Sequence, residues 1–100
     1  MNYFLLSYEL VDDYITRRAP LRDLHLRLAR EAQARGEIIL AGAFTNPPDG
    51  AALVFHAKDQ SVAEDFARND PYVVNGLVKH WKVRRWNVVV ADQPISPGTT

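Results

Sequence analysis

Tyr3 to Tyr8, Tyr-Phe-Leu-Leu-Ser-Tyr, is an almost unbroken apolar and aromatic run at the start of the chain. Successive side chains of a strand point to opposite faces, so a run without a polar face fits a central strand covered on both sides. The chain must therefore build a sheet around this segment, and something must cover each face of that sheet.

The following residues supply the other elements. Asp12 and Asp13 end the run, and Tyr14 to Arg18 lead into a helix. Pro20 suits a first helical turn, where its missing N–H would be unpaired in any case. Leu21, Leu24, Leu28 and Ala32 recur every three or four residues, which is one face of a helix. Asp23 near its start and Arg35 near its end complement the helix dipole, and Gly36 supplies a left-handed stop. Ile38 to Phe44 and Ala51 to His56 read as two strands joined by the turn Thr45-Asn46-Pro47-Pro48-Asp49-Gly50, an antiparallel hairpin. Ser61 with Glu64 reads as a capping box opening a short helix that contains Ala63, Phe66 and Ala67. Pro71 disfavours the α conformation at Asp70, so that helix should end near Asn69. Asp70-Pro71 then reads as an N-cap and first-turn proline of a further turn or two, to about Leu77. Lys79 to Val90 reads as a long last strand, with Trp81 and Val83 on one face and His80, Lys82, Arg84 and Trp86 on the other.

The order strand, helix, strand, strand, helix, strand predicts an α+β chain of ferredoxin-like βαββαβ type with an antiparallel sheet. Residues 1–91 are expected to form a single domain, and 92–100, with Pro94, Pro97 and Gly98, an extended or disordered tail. In such a fold both helices cover one face of the sheet. A second copy is the simplest cover for the other, which predicts a homodimer.

Composition removes several function classes. Lys plus Arg and Asp plus Glu are 12 each, so no overall field draws the protein to nucleic acid or an acidic membrane. Cysteine is absent, which excludes disulfides, thiolate metal sites and thiol catalysis. The N-terminus lacks the basic and long apolar regions of a signal peptide, and no apolar run approaches the roughly 20 residues needed to span a bilayer. A cytoplasmic protein is expected. His56 and His80 complete the histidine count with His25, and none stands at metal-ligand spacing from another within one element. No phosphate loop, nucleotide fingerprint or nucleophile elbow is present, so neither a metal nor a cofactor is expected.

Three stretches together resemble the YciI-like (YCII-related) family. They are Arg22-Asp23-Leu24-His25-Leu26 with Leu28; residues 35–44, with the pattern G-x-x-x-x-A-G; and Asp70-Pro71-Tyr72-Val73-Val74-Asn75-Gly76, followed by the strand that contains Trp86. The resemblance spans residues 1 to about 90 in order and spacing. It implies a dimeric α+β barrel similar to muconolactone isomerase, with relatives that act as chloromuconolactone dehalogenases. It also implies that His25 and Asp70 face a pocket as an acid/base pair. Many members carry proline after the Ala-Gly pair, where this chain has Ala43, a departure that bears on the pocket edge and substrate shape.

Each candidate also has a structural reading. His25 lies four residues after Leu21 and three before Leu28, on or beside the apolar stripe; it can shuttle a proton or be a hydrogen-bonded histidine at the core edge. Asp70 can orient that imidazole while capping a helix, since it has two oxygens. Tyr8 and Tyr72 can donate to a substrate or pack in the core. Gly42 can admit a ligand close to backbone or mark a bulge. Arg17, with Arg18, can clamp a carboxylate or stay solvated. The expected activity is proton abstraction next to a carbonyl, giving isomerisation or elimination on a small cyclic or carboxylate-bearing molecule. Its pocket would lie between the first helix and the uncovered sheet face. The other reading is a non-catalytic module that binds a small molecule or another protein.

Overall fold

A computed structural model describes residues 1–92; the expectation for the tail falls outside them from Gln93 onward. Four strands, β1 (Asn2–Leu10), β2 (Ile38–Ala43), β3 (Gly50–Ala57) and β4 (Val78–Trp86), form one sheet in the order β2-β3-β1-β4. Every pairing is antiparallel. The helices are α1 (Tyr14–Arg17), α2 (Arg22–Ala34), α3 (Ser61–Asn69) and α4 (Pro71–Val74). This is the expected ferredoxin-like α+β arrangement, with the aromatic first strand at the centre.

Register assigns the faces. Phe4 lies opposite Phe55 and Arg85, Leu6 opposite Leu53 and Val83, and Tyr8 opposite Ala51 and Trp81. These positions share the helix-covered face, because side chains on paired strands keep a period of two. Phe55 and Leu6 are fully buried there, and Phe66 of α3 meets Phe55 edge-on at 5.5 Å between ring centroids. Burial of each such side chain stabilises the fold by roughly 1.5–3 kcal/mol. The other face carries Tyr3, Leu5 and Ser7 of β1 beside Val54 and His56 of β3 and Arg84 and Trp86 of β4. Tyr3 stacks on His56 there at 4.5 Å.

Several local expectations are corrected. Pro20 lies in the turn before α2, whose first helical hydrogen bond runs from His25 N–H to the Leu21 carbonyl. Tyr14–Arg17 is a separate single turn. Leu24 is exposed, and the inward side of α2 consists of Leu21, His25, Leu28, Ala29 and Ala32. The capping box at Ser61 does not form. Ser61 is the first helical residue, and its N–H and hydroxyl both donate to the Asp59 carboxylate, a closer acceptor in the preceding turn. β4 stops at Trp86, because its partner β1 pairs there with Tyr3 and runs out one residue later. Among the described residues, Val88 to Val90 therefore have no strand of the sheet to ladder with. Gly36 and Gly76 take positive φ of 79° and 78° after α2 and α4, as helix stops require.

Candidate functional site

Asp70 sits where α3 ends and α4 begins. Its own backbone is extended (φ −66°, ψ 123°), as the following proline demands, and that geometry turns its carboxylate back over the first turn of α4. Oδ1 accepts from the Tyr72 backbone N–H at 3.0 Å. The N-cap is therefore real, but it occupies only part of the carboxylate. Oδ1 also receives His25 Nδ1 at 2.8 Å, and Oδ2 receives the Tyr8 hydroxyl at 2.7 Å. Asp70 is fully buried, so these three donors replace its water shell.

A carboxylate only accepts, so Nδ1 of His25 carries the hydrogen in this pair. In the neutral imidazole the other nitrogen, Nε2, is then left with a free lone pair. The His25 side chain is 16% exposed and lines a cavity of about 460 Å³. Its ring stacks on Tyr72 at 3.9 Å and 9° between planes, which holds the ring's orientation from one side while Asp70 holds it from the edge. Tyr14 meets Tyr72 edge-on at 5.8 Å, and its hydroxyl accepts from Arg18 at 3.2 Å. Burial is the main cause that pushes the Tyr72 phenol up to about 12, partly opposed by Arg18 and Arg22. Burial first, and then the Asp70 charge and hydrogen bond, push Tyr8 up as well, so it stays a donor.

The cavity lies on the helix-covered face, between α2, edge strand β2 and the sheet positions Tyr8, Ala51 and Leu53. It does not open onto the uncovered face as expected. The reason is the inward rotation of His25: α2 packs against the covered side, so its imidazole faces that side too.

Of the six site residues read from sequence, the structure brings Tyr8, His25, Asp70 and Tyr72 together through direct contacts, and Gly42 lines the same cavity on β2. No atom comes within 4 Å of a Cβ built on Gly42, and the register shift in this hairpin falls between Ile38 and Leu40. Neither a close approach within the chain nor a bulge explains the glycine. Arg17 stands apart: it donates to the Asn75 carbonyl at 3.1 Å and pairs loosely with Asp13 at 3.7 Å. Arg18, Arg22 and Tyr14 line the cavity instead. Adjacency in sequence does not distinguish Arg18 from Arg17, and no sequence signal marks Tyr14 or the inward reach of Arg22. Among the described residues, no group of three or more His, Cys, Asp or Glu side chains is placed to hold a metal ion. No helix among them is long and apolar enough to cross a membrane.

Comparison with known proteins agrees with this fold. The family model of the YCII-related domain matches residues 1–87. No curated protein sequence matches the chain. Among solved structures, 5-chloro-2-hydroxyhydroquinone dehydrochlorinase from Burkholderia phenoliruptrix AC1100, in complex with 2,5-dihydroxybenzoquinone, superposes with a TM-score of 0.71 at 22% identity. That match covers 84% of this chain and 92% of the dehydrochlorinase. A proposed antibiotic biosynthesis monooxygenase from Deinococcus radiodurans gives a TM-score of 0.54 at 14% identity, over 96% of this chain and 100% of that one.

Proposed function

The chain belongs to the YCII-related domain family, and on that premise we propose that it is an enzyme that moves protons on a small cyclic or carboxylate-bearing molecule with its own side chains and no cofactor. His25 is the general base and acid. Its Nε2 takes a proton from carbon next to a carbonyl, and Asp70 fixes the Nδ1–H tautomer and stabilises the imidazolium that forms. Return of the proton at another carbon gives isomerisation; loss of a leaving group from the neighbouring carbon gives elimination, as in dehydrohalogenation. The observation that carries this reading is the hydrogen bond from His25 Nδ1 to a fully buried Asp70, on a ring that opens into a cavity of small-molecule size. A histidine bonded only to backbone would instead suit a non-catalytic binding module. The dehydrochlorinase superposition supplies a first substrate class, chlorinated hydroxyhydroquinones, and the family resemblance supplies lactones of the muconolactone type.

The test is turnover of a panel of both classes, followed by absorbance and by chloride release. We expect His25→Ala and Asp70→Asn each to lower the rate of any accepted substrate by a factor of about 10²–10⁴, the usual contribution of a positioned acid/base group. A substrate turned over equally by the wild type and both variants refutes the assignment.

We also propose a homodimer closed over the uncovered sheet face. Leu5, Val54 and Trp86 share that face, and Leu40, 70% exposed, extends it along β2. Light scattering at micromolar concentration should give about twice the chain mass. A monomer refutes this part and leaves the proton-transfer reading intact, since His25 and Asp70 meet within one chain.

A further inference from the structure

Four side chains that carry or can carry positive charge line the cavity, His25, Arg18, Arg22 and Arg30, and no Asp or Glu lines it. Overall basicity does not explain this, because acidic and basic residues balance in the whole chain. Nor do ion pairs. Among the described residues, arginine pairs with a carboxylate at Arg17, Arg35 and Arg68, and at none of the three cavity arginines. Asp70, the carboxylate beside the imidazole, already accepts from three donors. Among the described residues, then, no carboxylate answers the charge of the cavity arginines, which leaves them able to receive an anion from solution.

Geometry selects two of the three. Along α2, Arg22, Leu26 and Arg30 share one stripe, and His25, Ala29 and Gln33 share the next, by their spacing of four. Arg22 lies within one turn of His25, whereas Arg30 is more than a turn beyond it, about 7–8 Å along the axis. Arg18 reaches the same end from the turn before α2. It is held there by its hydrogen bond to the Tyr14 hydroxyl, and its guanidinium lies 5.3 Å from the Tyr14 ring centre. Both Arg18 and Arg22 act on the Tyr72 phenol, favouring its ionised form. Both line the same cavity as Tyr72, whose ring stacks against His25. Leu26, Ala29, Ile38 and Leu53 make the adjoining wall apolar.

We propose that Arg18 and Arg22 form an anion subsite beside His25, selecting small ring compounds that carry a carboxylate or phenolate, with the ring against Leu26, Ala29, Ile38 and Leu53. This deepens the reading of the cavity as a substrate site and rests on it only for calling the bound molecule a substrate. Guanidinium groups suit this task, because they keep their charge and offer paired donors to carboxylate oxygens.

The experiment is calorimetric titration of the intact protein with benzoate and with neutral benzamide, which share ring and size. The wild type should bind benzoate about tenfold or more tightly than benzamide, the equivalent of one charge-assisted contact. That preference should disappear in the double variant Arg18→Gln/Arg22→Gln, persist in Arg30→Gln, and be partly restored by Arg18→Lys/Arg22→Lys. Circular dichroism of each variant checks that the fold is kept. Equal binding of the two probes, absence of benzoate binding at millimolar concentration, or a preference that survives the double variant overturns the subsite. His25→Gln separates the two proposals. It should keep the benzoate preference, so the anion subsite stands even if turnover proves independent of His25; a preference lost with His25 and retained without the arginines overturns it.

Discussion

Replacing Asp70 separates the roles that its carboxylate combines. In Asp70→Ala three donors lose their acceptor at once: the Tyr8 hydroxyl, the Tyr72 N–H and His25 Nδ1. A buried donor left unpaired costs roughly 1–3 kcal/mol. Tyr8 is 4% exposed and the Tyr72 backbone is covered, so both should approach that cost, whereas water can reach the part-exposed His25. Relief from holding a buried charge offsets part of the sum. A net loss of about 3–5 kcal/mol follows, which for a domain of this size lowers Tm by on the order of 20 °C. Asp70→Asn is different. Its amide oxygen can keep both bonds now made to Oδ1, including the cap, since asparagine caps as well as aspartate. Its NH₂ replaces Oδ2 and can donate to the Tyr8 oxygen, which then accepts. The charge assistance goes and the buried Tyr8 O–H loses its acceptor, while the other two donors keep theirs, so the loss should be about 1–2 kcal/mol, below that of alanine. For the proposed proton transfer the order of importance inverts. The imidazolium formed during proton transfer loses a carboxylate partner, and an attraction of about 4 kcal/mol for charges about 4 Å apart at an effective dielectric near 20 falls away. Partial screening at the cavity mouth leaves a rate loss of about 10²-fold or more. Urea unfolding followed by circular dichroism, beside turnover of an accepted substrate, reads both effects. Equal destabilisation by Asn and Ala refutes the three-donor account, and an Asn variant with full activity refutes the electrostatic role.

Alkaline stability should fall above pH 10. The Tyr72 phenol is pushed from 10.0 up to about 12, and Tyr8 is pushed further. The folded state therefore holds protons that the unfolded chain releases above pH 10, and stability declines with rising pH by up to about 1.4 kcal/mol per pH unit for each group. Urea midpoints that stay flat from pH 9 to 12 refute this, and Tyr8→Phe should make the slope shallower. At Gly50, an added Cβ meets the Tyr8 carbonyl oxygen and the Phe44 ring, each at 3.0 Å; Gly50→Ala should cost about 1–3 kcal/mol through a shift at the β1–β3 pairing, measured by thermal unfolding. At Gly36 a Cβ meets nothing but the positive φ, so Gly36→Ala should cost about 1 kcal/mol, and a larger loss there than at Gly50 contradicts the placement of both.

Period and punctuation carried most of the fold. The run Tyr3 to Tyr8 fits a strand covered on both faces, and Gly36, Gly76 and Pro71 stop or start elements where their backbone chemistry requires it. Errors arose where two local signals competed or where a neighbour decided. Ser61-x-x-Glu64 fits a capping box, but Asp59 is nearer to the same N–H. Val88 to Val90 suit a strand, but β1 has no residue left to pair with them. Leu24 and His25 are both compatible with a helix stripe, and a rotation of about 100° per residue separates them. The sequence reading places Leu24 on the stripe and His25 on or beside it; tertiary packing turns His25 inward and leaves Leu24 exposed. For the site, the resemblance supplied His25 and Asp70. Sequence alone could place Tyr8 on the central strand and Tyr72 after the proline, without showing that they meet. Arg17 and Arg18 are adjacent, yet a single residue decides which guanidinium reaches Tyr14 and which reaches Asn75.

The convergence on Asp70 has a physical logic that links fold and site. Its partners lie 62, 45 and 2 positions away along the chain, on β1, α2 and α4. A buried carboxylate is tolerated only when fully paired, so the fold must bring all three elements to within hydrogen-bond range before that charge can be buried. The same condition that penalises misplacement of α2 therefore fixes the imidazole ring against the cavity. An apolar residue at this position could pack as well, but it would hold neither the imidazole ring nor the first turn of α4. The candidate catalytic geometry and the burial of this carboxylate thus depend on one set of three hydrogen bonds, two of which asparagine keeps while losing the charge, which is why stability and activity should respond to Asp70→Asn in unequal measure.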